Sequence, residues 1–281
     1  MRVFAAGVAL AFVVLGAVWP AQAVEGAEDS SAVTVPVTVV LRGGQAEEGV
    51  LVKGSQDGSL TLKTAYGERT LARGDWVEVR PAKRPPELAI AEGLLRGKRY
   101  AAAVKKYQEV YDTYAGLYIF GAEALDGKGQ ALMGQDKWRE ALEVYEQLFR
   151  DYSGSDLTYS RRYHYAQCLA EAGGESGREK AVAVLDQIIA ATDDVLTVRA
   201  LDLLGQIHYA EGKHYLALRS YLQVLILYRN YAGEGAAEVQ RLVQKARENA
   251  IGCCDKLGKS SDASMKKRAE KIKERLLGAG S

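Results

Sequence analysis

The hydrophobic positions of the chain follow one period near its start and another over most of its length. Residues 33–41 carry an apolar side chain at every second position, which predicts a β-strand with one buried face. Four more short strands are predicted between glycine-containing turns, at Gly49–Lys53, Ser59–Ala65, Arg69–Ala72 and Trp76–Arg80. Five short strands over residues 33–80 predict a small all-β barrel module that is closed or nearly closed.

A helical period of apolar residues begins after a break that is rich in proline. Residues 81–86 contain Pro81, Pro85 and Pro86, and they are predicted to be a linker because proline ends regular elements. No proline follows Pro86, and the stretch EALEVYEQLFRDYSG is typical of an amphipathic helix that runs into a turn. Residues 87–277 are therefore predicted to be helical, so the fold class is mainly α.

That helix is one copy of a repeat. It recurs as AVKKYQEV from Ala103, ALEVYEQL from Ala141, AVAVLDQI from Ala181 and ALRSYLQV from Ala217. Upstream, a small residue followed by glutamine recurs at Gly129-Gln130, Ala166-Gln167 and Gly205-Gln206. Each unit is therefore predicted to be a helical hairpin whose small residues let the two helices approach closely.

The connections of these hairpins are also predicted. Glycine follows the second helix in YDTYAG, FRDYSG and YRNYAG, ending at Gly116, Gly154 and Gly233, where it suits a left-handed helix cap. The segment AGGESGRE is predicted to be a longer turn inside the third hairpin. Tyr145 and Tyr221 are expected to fill the gap between one hairpin and the next.

At these residues the chain resembles the tetratricopeptide repeat (TPR) family. The residues that match its pattern of small and aromatic positions are Leu204, Gly205, Trp138, Ala141, Tyr145, Ala103 and Tyr107. The units lack the family's terminal proline, carry a larger residue at its last alanine position, and exceed its usual length of about 34 residues. The resemblance covers residues 87–277, is greatest to divergent units of exported bacterial envelope proteins, and implies an α-solenoid.

The family resemblance also implies a concave face that is lined by the first helices and binds a protein or peptide. The inward-facing positions that it implies are Asp126, Gln130 and Met133, then Tyr163, Gln167 and Ala170, then Asp202, Gln206 and Tyr209. Three glutamines in register would offer donors and acceptors to the backbone of an extended peptide. Alternatively, glutamine is present as a good helix former on an exposed face.

The β segment has a resemblance of its own. The run GVLVKGSQDGSLTLKTAYGERTLARGDWVEV resembles the small SH3-like or Sm-like barrels in its strand spacing and glycine turns. Such barrels bind peptides, other barrels or nucleic acid, and the module can alternatively serve only for packing or docking. The whole chain carries 37 Lys and Arg against 36 Asp and Glu, so no nucleic-acid partner is expected.

The first residues have the layout of a secretory signal peptide. They contain a single Arg2, an uncharged run from Phe4 to Val18, Pro20, and the sequence Ala-Gln-Ala ending at Ala23. This predicts a signal peptide over residues 1–23, with cleavage after Ala23, followed by a linker over residues 24–32. The alternative, a membrane anchor, needs about 20 apolar residues. The mature protein is thus expected to be periplasmic or extracellular in a bacterium, with no integral membrane span.

The sequence lacks the patterns typical of an active site. It has no phosphate-binding loop, nucleophile elbow or His-Glu-x-x-His pair. His208 and His214 are too far apart for two ligands on one helix face. The three cysteines are expected to be small buried hydrophobes, with a disulfide from Cys168 to Cys253 or Cys254 as the alternative. No cofactor or metal is expected.

The last predicted helix, Ser264–Leu277, is strongly basic. It is interpreted as a solvated helix that caps the solenoid. Alternatively, it binds an acidic surface of a partner. Taken together, the patterns favour a non-enzymatic protein–protein interaction scaffold of the cell envelope. The alternatives are a self-assembling structural component, which would form homo-oligomers, and, less favoured, a metal-dependent or thiol enzyme.

Overall fold

The computed structural model describes residues 34–54, 58–152 and 158–278. The predicted signal peptide, the linker over residues 24–32, Val33 and Gly154 lie outside the described residues. Those predictions therefore remain predictions.

The alternating residues near the start form an antiparallel sheet of five strands. The strands are β1 (Val35–Leu41), β2 (Ala46–Gly54), β3 (Leu60–Thr64), β4 (Gly67–Leu71) and β5 (Trp76–Pro81). They are hydrogen-bonded in the order β4-β3-β2-β1-β5. Strand β2 begins before its predicted start at Gly49, because Ala46 and Glu47 pair with Val40 and Val39 of β1 through backbone bonds that do not depend on side-chain polarity.

Ten helices follow in the described residues and pair in chain order into hairpins. They are α1 (Pro86–Arg96), α2 (Tyr100–Tyr114), α3 (Tyr118–Met133), α4 (Trp138–Asp151), α5 (Tyr159–Ala172), α6 (Gly174–Ala191), α7 (Val195–Ala210), α8 (His214–Leu227), α9 (Ala236–Leu257) and α10 (Ala263–Gly278). Pro86 occupies the first turn of α1, where proline is tolerated because no hydrogen bond is lost. The predicted fold class, mainly α with TPR-like hairpins after a small β module, is confirmed.

Two of the three left-handed caps, at Gly116 and Gly233, were predicted at the wrong glycines. Gly116 and Gly233 do not have positive φ. Positive φ occurs instead between the first and second helices, at Lys98, Asp136, Gly174 and Gly212, and at Gly235 just before α9. The chain needs no left-handed residue after α2, since the N–H of Leu117 donates to the carbonyl of Tyr114 and α3 begins at once.

The longer turn predicted for the third hairpin is also wrong. Helix α5 ends at Ala172 and α6 begins at Gly174, so most of AGGESGRE forms an extra first turn of α6. Glycine at residue 177 permits this extra turn to pack against α5, because a Cβ atom on Gly177 would lie 2.6 Å from the carbonyl oxygen of Leu169.

The small residues of the repeat lie under tyrosine rings. A Cβ atom on Gly129 of α3 would lie 2.6 Å from the ring of Tyr145 on α4, and one on Gly205 of α7 would lie 2.5 Å from the ring of Tyr221 on α8. The third hairpin has Ala166 and Leu185 at these positions, both fully buried. Where the first helix carries Ala166 in place of the smaller glycine, the second helix carries Leu185 in place of the larger tyrosine.

The sheet and the first helices share one hydrophobic core. Val39, Leu60 and Leu62 belong to the same buried cluster as Leu88 of α1 and Ala103 of α2. The backbone also connects the two parts, because the N–H of Gly54 donates to the carbonyl of Gly116 at 2.9 Å. The sheet therefore shares a hydrophobic core with α1, α2 and α3.

Successive first helices contact one another along the stack. The pairs α1 and α3, α3 and α5, α5 and α7, and α7 and α9 are all in contact. The second helices lie on the other side, where cavities separate α2 from α4 and α6 from α8. The first helices therefore form a continuous inner face, and the second helices form a grooved outer side.

Candidate protein-binding face

The residues implied by the family pattern lie on the first helices α3, α5 and α7. Asp126, Gln130 and Met133 are on α3, Tyr163, Gln167 and Ala170 on α5, and Asp202, Gln206 and Tyr209 on α7. Because these three helices contact one another in order, the implied residues occupy equivalent positions on neighbouring helices.

Asp126 is the centre of a polar cluster that joins α3, α4 and α5. Tyr145 donates its hydroxyl to Oδ1 of Asp126 at 2.9 Å, and Nδ1 of His164 lies 3.1 Å from the same oxygen. Nε of Arg161 lies 3.8 Å from Oδ2. Burial disfavours the charged carboxylate, but these hydrogen bonds and the charge of Arg161 outweigh burial and lower the pKa of Asp126. Asp126 is therefore an ionised link between two hairpins.

Asp202 forms the equivalent cluster between α7 and α9. Its Oδ2 accepts hydrogen bonds from Gln206 at 2.7 Å and from Nζ of Lys245 at 2.8 Å. The residue is 5% exposed, and its Oδ1 has no hydrogen-bond partner among the described residues. One turn earlier on α7, Arg199 binds Glu238 of α9 through both carboxylate oxygens at 2.6 and 2.8 Å.

A third set of charges connects the first two hairpins. Arg84, just before α1, pairs with Glu92 of α1 at 2.6 Å and with Glu123 of α3. Burial raises the pKa of Glu123, and the charge of Arg84 opposes that shift. Ion pairs thus connect the α1 region with α3, α3 with α5, and α7 with α9.

The other implied residues differ in their surroundings. Gln130 and Gln167 are half-buried, whereas Gln206 is exposed and bound to Asp202. Met133 is half-buried against the core of the second hairpin. Tyr209 is 36% exposed, and its ring centroid lies 5.0 Å from that of His214. The three glutamines are in register, but they do not share one environment.

Sequence reasoning missed the basic partners of this face. Arg161, His164, Arg199 and Lys245 were not among the implied residues. A signal for them exists, because the side chains that pair across hairpins lie about one repeat apart: 38 residues for His164 and Asp126, 39 for Arg199 and Glu238, and 43 for Lys245 and Asp202. Complementary charges at the repeat spacing would have identified these contacts.

The cavities of the described chain lie mainly away from the implied residues. A cavity of about 550 Å³ is lined by α2, α3 and α4, one of about 320 Å³ by α6, α7 and α8, and one of about 300 Å³ by α8, α9 and α10. A shallow hollow of about 410 Å³ on α9 includes Lys245. None of these four is lined by the residues that the family pattern implies on α3, α5 and α7.

The histidines and cysteines do not assemble a metal centre in the described part of the chain, where no group of three or more His, Cys, Asp or Glu side chains could hold an ion. The three cysteines are buried and unbonded, Cys168 in the cluster of the second hairpin and the other two in the C-terminal cluster. Burial raises the pKa of Cys168 and of Cys253 to about 12. The interpretation of these thiols as small buried hydrophobes agrees with this placement.

The described helices differ from membrane-spanning helices, which need about 20 apolar residues. Across residues 34–54, 58–152 and 158–278, none is both long and apolar enough to cross a membrane.

The helical part is similar to solved TPR structures. Two crystal structures of a kinesin light chain-like protein with nearly identical TPR-like repeats from Podosopora anserina match with TM-scores of 0.52 and 0.50. Their identities are 15% and 14%, with 69% and 70% of this chain and 92% and 95% of the other chain covered. A structure of MamA protein matches with a TM-score of 0.48 and 15% identity over 68% of this chain and 91% of that one. The similarity to the two kinesin light chain-like structures establishes a TPR-like fold.

Comparison of the sequence with protein-family models gives no match. Comparison with curated proteins likewise gives none.

Proposed function

We propose that this protein is a non-enzymatic scaffold that binds a protein or an extended peptide along the inner face of α3, α5 and α7. The observation that carries the proposal is the continuous contact of successive first helices, which presents equivalent polar positions from one hairpin to the next. Solenoids with such faces are built for extended binding surfaces. Gln130, Gln167 and Gln206 are the proposed contacts to the partner's backbone, since an amide side chain both donates and accepts.

The charges of the inner face determine what kind of partner it accepts. Asp126, Asp202 and Glu238 are already paired with basic side chains of the neighbouring first helix. A partner therefore meets a face whose charges are mutually compensated, which favours hydrogen bonding along an extended backbone over strong attraction of one charge sign.

The cellular setting belongs to the same proposal. The signal-peptide pattern of residues 1–23 supports export, with action in the periplasm or outside a bacterial cell. The strand order β4-β3-β2-β1-β5 supports an SH3-like or Sm-like arrangement of the β module. We assign this module a structural role at the start of the solenoid, because its buried residues are continuous with the first hairpin.

The proposal is tested by affinity capture from a native envelope extract with the mature protein as bait. The test variant carries Gln130→Ala, Gln167→Ala and Gln206→Ala on the inner face. The control variant carries the same change at Gln108, Gln187 and Gln223, which lie on the second helices α2, α6 and α8. Both variants must keep the helical circular dichroism and the melting temperature of the wild type.

A protein retained by the wild type and the control, and lost by the inner-face variant, supports the proposal and identifies the partner. Equal retention by all three overturns the assignment of the glutamines. Self-capture alone, together with a size in solution that grows with concentration, would instead support the self-assembling homo-oligomer.

A further inference from the structure

The outer groove between α8 and α10 has an apolar interior. This C-terminal groove encloses about 300 Å³ and is lined by Tyr215, Leu218, Leu257, Met265, Ala269 and Ile272. Leu218 and Ala269 are each 2% exposed, whereas Tyr215 is 55% exposed. The groove therefore combines a buried base with an open apolar wall, which is the shape that receives an inserted side chain.

The rim of the C-terminal groove is cationic. Arg268, Lys271 and Arg275 follow one face of α10 at intervals of three and four residues and line the groove. None of the three forms an ion pair with another described residue, although Lys273 on the neighbouring face binds Asp255 at 2.5 Å. No carboxylate from the described chain lines the groove. The rim charge is therefore uncompensated.

Hairpin packing does not require this charge. Ala269 of α10 is buried as Ala141 of α4 is, so the two helices can be aligned on these residues. Arg268 and Lys271 then correspond to Glu140 and Glu143, which line the equivalent groove between α2 and α4. The same position in the stack thus carries carboxylates in one groove and cations in the other.

We propose that the C-terminal groove binds an amphipathic helix of a partner protein that carries carboxylates beside its apolar face. Apolar side chains of that helix would enter between Tyr215 and Ile272, and its carboxylates would pair with the three rim cations. A flat anionic membrane does not match the groove, because Leu218 and Ala269 lie at its base, where only a protruding side chain reaches them. This surface is separate from the inner face and does not depend on the function proposed for it.

The test uses the full chain and a fluorescein-labelled synthetic peptide of leucine and glutamate, capped at both ends and patterned as an amphipathic helix. Fluorescence anisotropy measures its binding to the wild type and to three variants. Arg268→Glu with Lys271→Glu reverses the charge of the rim at two positions. Tyr215→Ala removes the open apolar wall. Lys266→Glu with Lys267→Glu is the matched control, because it changes the net charge of α10 equally at exposed residues that do not line the groove.

Saturable binding by the wild type and the control, weakened at least tenfold in the rim variant and measurably by Tyr215→Ala, is the expected result. Equal weakening in the rim and control variants overturns the proposal, because it would mean non-specific attraction to a basic helix. Absence of saturable peptide binding overturns it as well. Binding to phosphatidylglycerol vesicles but not to the peptide would replace the helix with a membrane surface. A peptide in which lysine replaces glutamate is expected not to bind.

Discussion

The ring of Tyr145 lies against the backbone of Gly129, so close that a Cβ atom at residue 129 would come within 2.6 Å of Cε2 of the ring. The same contact recurs between Tyr221 and Gly205. Each tyrosine lies on the second helix of a hairpin and fills a space that exists only because the first helix has no side chain there. The glycine therefore sets the distance between the two helices.

Gly129→Ala is expected to lower the free energy of unfolding by about 1–3 kcal/mol, because the added methyl group overpacks a buried contact. Chemical denaturation followed by circular dichroism measures the change. Gly252→Ala is the control, since a new Cβ atom there would meet no packing neighbour within 4 Å beyond the adjacent backbone of α9. It should instead stabilise the helix by up to about 1 kcal/mol. Equal effects at the two glycines would contradict the packing argument.

The double variant Gly129→Ala with Tyr145→Leu tests whether the two residues compensate each other. It copies the Ala166 and Leu185 pair of the third hairpin. We expect it to be less destabilised than the sum of the two single variants, with a coupling of about 0.5–3 kcal/mol. A double-mutant cycle measures this energy, and strict additivity would show that the ring and the methyl group do not compete.

Lys98→Gly is expected to stabilise the protein. Lys98 has φ of 56° in the turn between α1 and α2, where Gly212 has φ of 72° in the equivalent turn of the fourth hairpin. A left-handed residue with a side chain costs roughly 1–2 kcal/mol, somewhat more than the entropy that glycine costs the chain. The melting temperature should therefore rise slightly. The reciprocal change Gly212→Lys should lower it, and a decrease in both variants would contradict the explanation.

Leu60→Ala in strand β3 is expected to lower the denaturation midpoint of the helices, although it lies outside them. Leu60 is fully buried in the cluster that also contains Leu88 and Ala103. The cavity should cost about 2–5 kcal/mol. The circular dichroism signal at the helical minimum measures the unfolding of the helices. An unchanged helical midpoint, with loss of the sheet alone, would mean that the two parts unfold independently.

Asp126 is expected to contribute stability that disappears in acid. Its pKa in the folded protein is lowered, so the unfolded chain takes up the proton at a higher pH than the folded one. The contribution is present above the unfolded pKa of about 3.9 and is lost as pH falls through the folded value. Asp126→Asn should therefore flatten the decrease in unfolding free energy between neutral and acidic pH. Asp136→Asn, at an exposed residue, is the matched control for the removal of one carboxylate.

The predictable parts of the structure were those that depend on neighbouring residues in the chain. Alternating residues of β1 and the period of α4 follow from local geometry, and the recurrence of Ala141 and Ala217 identified the hairpins. The left-handed caps were misplaced because several glycines compete as turn residues. Only the contacts of a hairpin decide which turn is tight enough to require positive φ at Lys98 or Gly212.

The helices that carry the implied residues were predictable, but the side chains that pair with those residues were not. The family pattern placed Asp126 and Asp202 on α3 and α7, where the structure has them. It did not identify His164 or Lys245, which reach these carboxylates from the next hairpin. Such contacts depend on the rotation and spacing between hairpins.

The sequence by itself determined the type and order of the main elements, the repeat and the small positions at Gly129 and Gly205, because each of these is a local pattern of side-chain size and polarity. The tertiary structure decided that the sheet shares its core with the first hairpin, that charged residues one repeat apart pair along the inner face, and that Arg268 and Lys271 border an apolar groove. These relationships join residues distant in the chain, and their distances are fixed only when the hairpins stack.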